Sequence, residues 1–418
     1  MKRKKREKMI IFWGIAAVVI TLVLCAGAGI FAVSESGKGK PEEDIRTAQL
    51  QSDAHIKETV ASSSMEESKK GLAQAGVSES NSSERKESEP ASESAAGEVV
   101  SETSGSGEQG AAGPLIVETD PAVYTYENME QDLQQMKNMY EEMTVDSLGE
   151  TMDGRQIYHV LLGNPASDRH VLITGSIHAR EYMTTQLVMK QLDGFLKDQE
   201  AVNKYLGGIA VHVVPMINPD GVSISQFGLE AVRKDETRSY ITDVIMKKDG
   251  SAGTGNYFKR WKANAHGVDL NRNFDALWDQ YVGSGHPSSD HYKGEAPGSE
   301  PEAAALIRLT ETYPFVRTVS YHTQGGVIYW YFGQTGKLKD DTEQFAKQVS
   351  AVTGYPLDAN YQKLDPAGYK DWAISKKSIP SLTIEVGRET SPVPPAQFGE
   401  IWNRNSGVWT VIFDSAMK

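Results

Sequence analysis

Cysteine is almost absent from this chain of 418 residues, and the single example, Cys25, lies in an apolar run near the N-terminus. No disulfide can form within the chain, and no thiolate metal site can form in the rest of it. Any metal ion there has to be held by His, Asp or Glu. Aromatic residues are missing over a long stretch, with none between Phe31 and Tyr124. A segment without them, rich in Ser, Glu, Gly and Ala, cannot bury enough apolar surface to offset its ordering entropy. Residues 34–120 are therefore expected to form a disordered stalk, and 121–418 one domain of about 300 residues, ample for a large core. Acidic residues outnumber basic ones beyond the N-terminus. The net charge of −13 divides into +5 for residues 1–33, −10 for 34–121 and −8 for the remainder. An acidic domain behind an acidic stalk argues against nucleic acid as a partner.

Only one long hydrophobic run is present. Ile10 to Val33 carries no charge and would span about 36 Å as a helix, enough for a bilayer core of about 30 Å. Lys2, Arg3, Lys4, Lys5, Arg6 and Lys8 precede it and favour a cytoplasmic N-terminus. The expectation is a cytoplasmic segment over 1–9, a single-pass anchor over 10–33, and everything after Val33 outside the cell membrane. The alternative is a signal peptide cut near Ala26-Gly27-Ala28, which would leave a secreted protein. The small residues that precede a lipidated cysteine are missing before Cys25. A flexible stalk of this length would reach roughly 50 Å, which suits an enzyme working a short distance from the membrane, as in a cell wall.

Within the globular part, apolar spacing predicts helices over 124–143, 181–196, 301–313, 342–355 and about 397–414. Strands are predicted over 155–164, 170–177, 209–218, 318–323 and 381–387, the third stopped by the turn cluster Asn218-Pro219-Asp220-Gly221. This alternation indicates an α/β sheet with helices on both faces. Ligands of such sheets bind at the carboxyl ends of the strands. His178 follows one predicted strand, His322 lies in another, and Glu385 lies near the end of the last.

His178 and Glu181 are three residues apart where a strand runs into a helix, a spacing that lets an imidazole and a carboxylate meet one ion. Alone this pair is a weak signal. His322 would complete a set of two histidines and a carboxylate, which leaves the fourth zinc position open for water. Bound zinc lowers the pKa of that water to about 7. Glu385 could accept its proton and pass it to a leaving amine. Asp269 could hold a ligand histidine through its second ring nitrogen. Asn271 and Arg272 offer donors suited to a carboxylate. The plainer alternatives are an exposed strand-end carboxylate and a surface turn.

The stretches GSIHAREY (175–182), VPMINPDG (214–221), GVDLNRNF (267–274), SYHTQG (320–325), AGYKDWAI (367–374) and LTIEVG (382–387), in this order, resemble the zinc carboxypeptidases of the carboxypeptidase A type. The resemblance covers about 120–418. It implies a mixed, mostly parallel central sheet with helices on both faces. It also implies one zinc ion bound by His178, Glu181 and His322, with Glu385 as general base, Asp269 behind His178, and Asn271 and Arg272 on the substrate's terminal carboxylate. RWKANAHGVDLNRNF (260–274) and HTQGGVIYW (322–330) look like the bacterial branch that cleaves the γ-D-glutamyl–diaminopimelate bond of cell-wall stem peptides.

Three positions depart from the family pattern. The oxyanion-polarising arginine follows a tryptophan in the family, whereas Trp261 is followed by Lys262; the role falls to Lys262 or to the neighbouring Arg260. Gln324 stands two residues after the third ligand, where many digestive members have tyrosine. The substrate-capping tyrosine matches Tyr361 best, with Tyr369 as an alternative of structural character. The resemblance also places Lys370 in the pocket for the terminal side chain, where a cation favours a carboxylate such as the second one of diaminopimelate. Ordinary peptides with acidic C-termini are the alternative substrates, and a non-catalytic wall-binding module is a third reading. His159, His170, His212, His266, His286 and His291 receive no role.

Overall fold

The computed structural model describes residues 116–117, 123–253, 256–359 and 365–418. The expected anchor, nearly all of the expected stalk, and Tyr361 lie outside the described residues. Ile116 and Val117, inside the expected stalk, pack on the domain: Val117 is buried and its N–H donates to Asp193 Oδ2 at 3.1 Å. Among the described residues no helix is long and apolar enough to cross a membrane.

Among the described residues eight strands form one sheet: β1 (Met143–Glu150), β2 (Gln156–Leu162), β3 (His170–Thr174), β4 (Ala210–Val214), β5 (Phe315–Thr323), β6 (Val327–Tyr329), β7 (Leu357–Asp358) and β8 (Ser381–Val386). Their order is β1-β2-β4-β3-β5-β8-β6-β7. The central four, β4, β3, β5 and β8, are parallel, and antiparallel pairing appears only where β2 joins β4, β1 joins β2, and β6 joins β8. The sheet is thus mixed with a parallel centre, as expected.

Side chains alternate across the pleat with period two, and this alternation divides the interior. Val171 and Ile173 of β3, Val319 and Tyr321 of β5, and Ile384 and Val386 of β8 join one apolar layer. Covering that layer are the helices Tyr126–Met139, Met183–Lys197, Gly336–Thr353, Phe398–Asn405 and Val408–Ala416. Leu172 of β3 points to the other layer, with the helices Pro301–Thr312 and Tyr369–Lys377. His322 and Glu385 fall between the residues of the first layer and are register partners on adjacent strands, so both face the second side.

Several elements differ from the sequence reading. Asn218-Pro219-Asp220-Gly221 does stop β4, but it also opens the helix Pro219–Phe227: the Asn218 side chain accepts from Gly221 N–H at 2.9 Å, and proline suits the first helical turn. Strand β1 shows no clean alternation in burial, and β6 and β7 are too short to carry a period. The terminal helix is two helices broken at Ser406-Gly407.

Three histidines without a predicted role form a hydrogen-bonded row across β2, β4 and β3. His159 Nε2 lies 2.9 Å from His212 Nδ1, and His212 Nε2 lies 2.7 Å from His170 Nδ1. Asp146 Oδ1 ends the row on one side at 2.7 Å and the Ser167 carbonyl on the other at 2.8 Å. Burial, then the His159 and His170 rings beside it, push the His212 imidazole down to about 2, so it is neutral. His170 opens β3, at the end remote from His178, so the row serves the fold. Replacing the middle ring by phenylalanine strands two buried nitrogens, each worth about 1–3 kcal/mol. His212→Phe should therefore lower unfolding stability by about 2–6 kcal/mol in urea titrations. Unchanged stability would mean that the row contributes nothing.

Candidate active site

The chain leaves β3 through Gly175 and Ser176. A Cβ at Gly175 would sit 2.7 Å from the Pro215 carbonyl, so this close passage needs glycine. Ser176 adopts a positive φ of 48°. Its N–H donates to Thr184 Oγ1 at 2.8 Å and its hydroxyl lies 2.7 Å from Thr185 Oγ1, bonds that fix this sparsely populated conformation. The next residues form one 3₁₀ turn, Ala179–Glu181, tied down by Ala179 N–H donating to the Lys262 carbonyl at 3.0 Å. One turn puts His178 and Glu181 side by side, with His178 Nδ1 2.8 Å from Glu181 Oε1.

His322 comes from the end of β5. Its Nδ1 lies 3.1 Å from Glu181 Oε2 and 3.2 Å from His178 Nδ1. The ligand atoms of His178, Glu181 and His322 all lie within 4.8 Å of one another, and all three residues are buried. Thr323 N–H also donates to Glu181 Oε2, at 3.2 Å. Burial works to raise the Glu181 carboxyl, but His178 and His322 hold it well below the usual carboxylate range. Two ring nitrogens and a carboxylate converging in a buried space are the donor set of a catalytic zinc ion. A bound zinc ion there supplies a Lewis acid that activates water.

Asp269 stands behind this set, its Oδ1 3.3 Å from His178 Nε2. It is fully buried; burial pushes it up, but Lys262 and then His178 hold it well below the usual range. Lys262 Nζ pairs with Asp269 Oδ2 at 2.8 Å and lies 3.5 Å from Asp290. Of the two basic residues weighed for oxyanion polarisation, Lys262 is in the site. Arg260 is not: it closes the 3₁₀ turn Phe258–Arg260, where it is exposed, and its carbonyl accepts from Arg180 at 3.1 Å. The chain leaves the helical conformation at Trp261, and both the Trp261 ring and the Lys262 side chain that follows it are buried.

Glu385 lies beside His322 in register. Its Oε2 is buried without a hydrogen-bond partner, and burial raises its pKa. The positive charge of a bound zinc ion acts in the opposite direction. Asn271 Oδ1 accepts from Tyr369 N–H at 3.0 Å, which leaves its amide nitrogen as the donor. Arg272 is buried, donates to the Asn271 carbonyl at 2.6 Å, stacks 5.1 Å from the Tyr281 ring centre, and pairs with Asp365. Lys370 Nζ lies 2.5 Å from Asp371 Oδ1 and 3.3 Å from the Tyr331 carbonyl. Tyr369 is buried with its hydroxyl 2.9 Å from Thr310 Oγ1, a packing role. Gln324 is exposed, two residues beyond His322. Sequence reading missed Asp290, Tyr281 and Asp365, which lie in loops where no periodicity marks a position.

A family profile described as zinc carboxypeptidase matches residues 129–406. The chain belongs to the zinc carboxypeptidase family. It is similar to gamma-D-glutamyl-L-diamino acid endopeptidase 1 of Lysinibacillus sphaericus, 31% identical over 68% of this chain and 71% of that one. It is also similar to an uncharacterized protein, YqgT, of Bacillus subtilis, 28% identical over 70% and 77%. Among solved structures, thrombin activatable fibrinolysis inhibitor shares the fold, with a TM-score of 0.56 and 17% identity over 70% of this chain and 74% of that one. This zinc carboxypeptidase is therefore a metallopeptidase, and its buried His178–Glu181–His322 set is the site that fits its metal.

Asp269 fixes which nitrogen of His178 faces the cluster. Carboxylates in this position typically contribute 10- to 100-fold to metal affinity. Asp269→Asn should lower zinc affinity by about that factor in chelator competition, with the fold retained by circular dichroism. Unchanged affinity would remove Asp269 from metal binding.

Proposed function

We propose that this enzyme hydrolyses the bond before a C-terminal diamino acid, namely γ-D-glutamyl–meso-diaminopimelate in cell-wall stem peptides, outside the cell and tethered to the membrane by residues 10–33. The observation that carries this reading is the arrangement of Arg272 and Lys370. Arg272 acts electrostatically on Asp269 and Glu385, which stand beside the metal set, and Lys370 lies one residue beyond Tyr369, whose N–H is held by Asn271. Two cations suit a terminal residue that carries two carboxylates. The name of the Lysinibacillus relative, a gamma-D-glutamyl-L-diamino acid endopeptidase, supports the same substrate class.

Asn271 and Arg272 bind and orient the terminal carboxylate, Arg272 through its forked donors. Lys370 meets the second carboxylate, moving from Asp371 to do so. Glu385 takes the proton of the attacking water and delivers it to the departing nitrogen. Lys262 places positive charge beside the developing oxyanion, held in position by Asp269. The capping role remains with Tyr361.

The zinc-loaded chain should release free diaminopimelate from L-Ala-γ-D-Glu-meso-diaminopimelate. Glu385→Gln should lower kcat about 100- to 10,000-fold while zinc content stays at one ion per chain. Hydrolysis of ordinary acidic-ended peptides instead of the tripeptide would keep the chemistry and remove the cell-wall assignment.

Lys370→Met deletes a charge-assisted bond and should raise KM for the tripeptide about ten-fold or more. An unaltered kcat/KM would show that Lys370 lies outside the pocket.

A further inference from the structure

The guanidinium assigned to the substrate's carboxylate already holds a carboxylate. Asp365, separated from Arg272 by 93 positions in sequence, pairs with its Nη2. The other donors of Arg272 are differently engaged. Nη1 is committed to the Asn271 carbonyl at 2.6 Å, and Nε is buried with no partner. The two partners are unequal in exposure: the Arg272 side chain is 7% exposed and that of Asp365 62%. A buried cation needs a counter-charge, whereas an exposed aspartate can return to water at little cost. Asp365 also engages only Nη2, so an incoming carboxylate that bridges two N–H groups gains the stronger forked geometry.

We infer that Asp365 takes the place of the substrate's terminal carboxylate at Arg272 in the resting enzyme, and so helps to set how readily a C-terminal carboxylate is accepted. This rests on Arg272 being the carboxylate-binding residue. Each productive binding event exchanges one carboxylate for another at Arg272. The guanidinium is never left buried without an anion, and a substrate end has to out-compete Asp365. Solvent around the exposed Asp365 screens this pair, so the competition is modest and reversible, as a binding step requires.

The test uses the full zinc-loaded chain carrying Glu385→Gln, which allows binding to be measured without turnover. L-Ala-γ-D-Glu-meso-diaminopimelate and an ordinary acidic-ended peptide are titrated calorimetrically into four proteins: this parent, Asp365→Asn, Arg272→Gln and the double variant. The expected result is a Kd about two- to five-fold lower for Asp365→Asn, with the gain abolished when Arg272 is also replaced. If Arg272→Gln weakens binding but Asp365→Asn leaves Kd unchanged or raises it, the inference is overturned while the carboxylate assignment stands. If Arg272→Gln leaves binding intact, that assignment fails, and the role of Asp365 falls with it.

Discussion

Strands β3, β5 and β8 lie side by side and parallel, so their carboxyl ends reach the same edge of the sheet. Nothing in the local sequence of His178, His322 or Glu385 could bring them together otherwise. Each is delivered by a different strand, and their mutual distances follow from inter-strand spacing, which is about 4.8 Å. The turn after β3 adds Glu181, and the loop ending at Asp269 closes the set from behind. Precision at the site comes from backbone hydrogen bonds, with side chains adding only the last ångströms.

Charge is balanced in two steps around this edge. Glu181 and Asp269 are both buried and ionised, and neither is alone: Glu181 is flanked by two imidazoles, Asp269 by His178 and Lys262. A buried carboxylate with no such partner would neutralise itself by protonation. Glu385 differs, because its Oε2 accepts from no group. A proton acceptor needs a free lone pair, so the absence of a donor there is consistent with the general-base role. Lys262, by contrast, is bound twice by carboxylates, which explains how a lysine can be held steadily where the family pattern has a forked arginine.

Much of this site is legible in the sequence, for an identifiable reason. His178, His322 and Glu385 interrupt apolar runs at strand ends, and a polar residue there has few alternatives to function. The fold class is legible through the same runs, since β3, β4, β5 and β8 are buried on both sides. Strand β1 hides because its burial is irregular, and β6 because three residues carry no period. The choice between Lys262 and Arg260 depends on where one 3₁₀ turn ends, which composition does not encode. Asp365 is hidden most deeply, for its partner lies 93 positions away. The histidine row was invisible because its members, on three strands, make sense only once the strands are ordered.

The register of β5 against β8 has a consequence for how this domain can change in length. His322 and Glu385 share a face only because their strands pair as they do. One residue inserted ahead of His322 in β5 or ahead of Glu385 in β8 would turn that side chain into the opposite apolar layer, among Tyr321 and Ile384. The parts of the connection between these strands that lie outside β6 and β7 are under no such parity rule. They can lengthen or shorten while the spacing between His322 and Glu385 stays the same. Variation in loop length and constancy of the metal-bearing edge are thereby assigned to separate stretches of one chain.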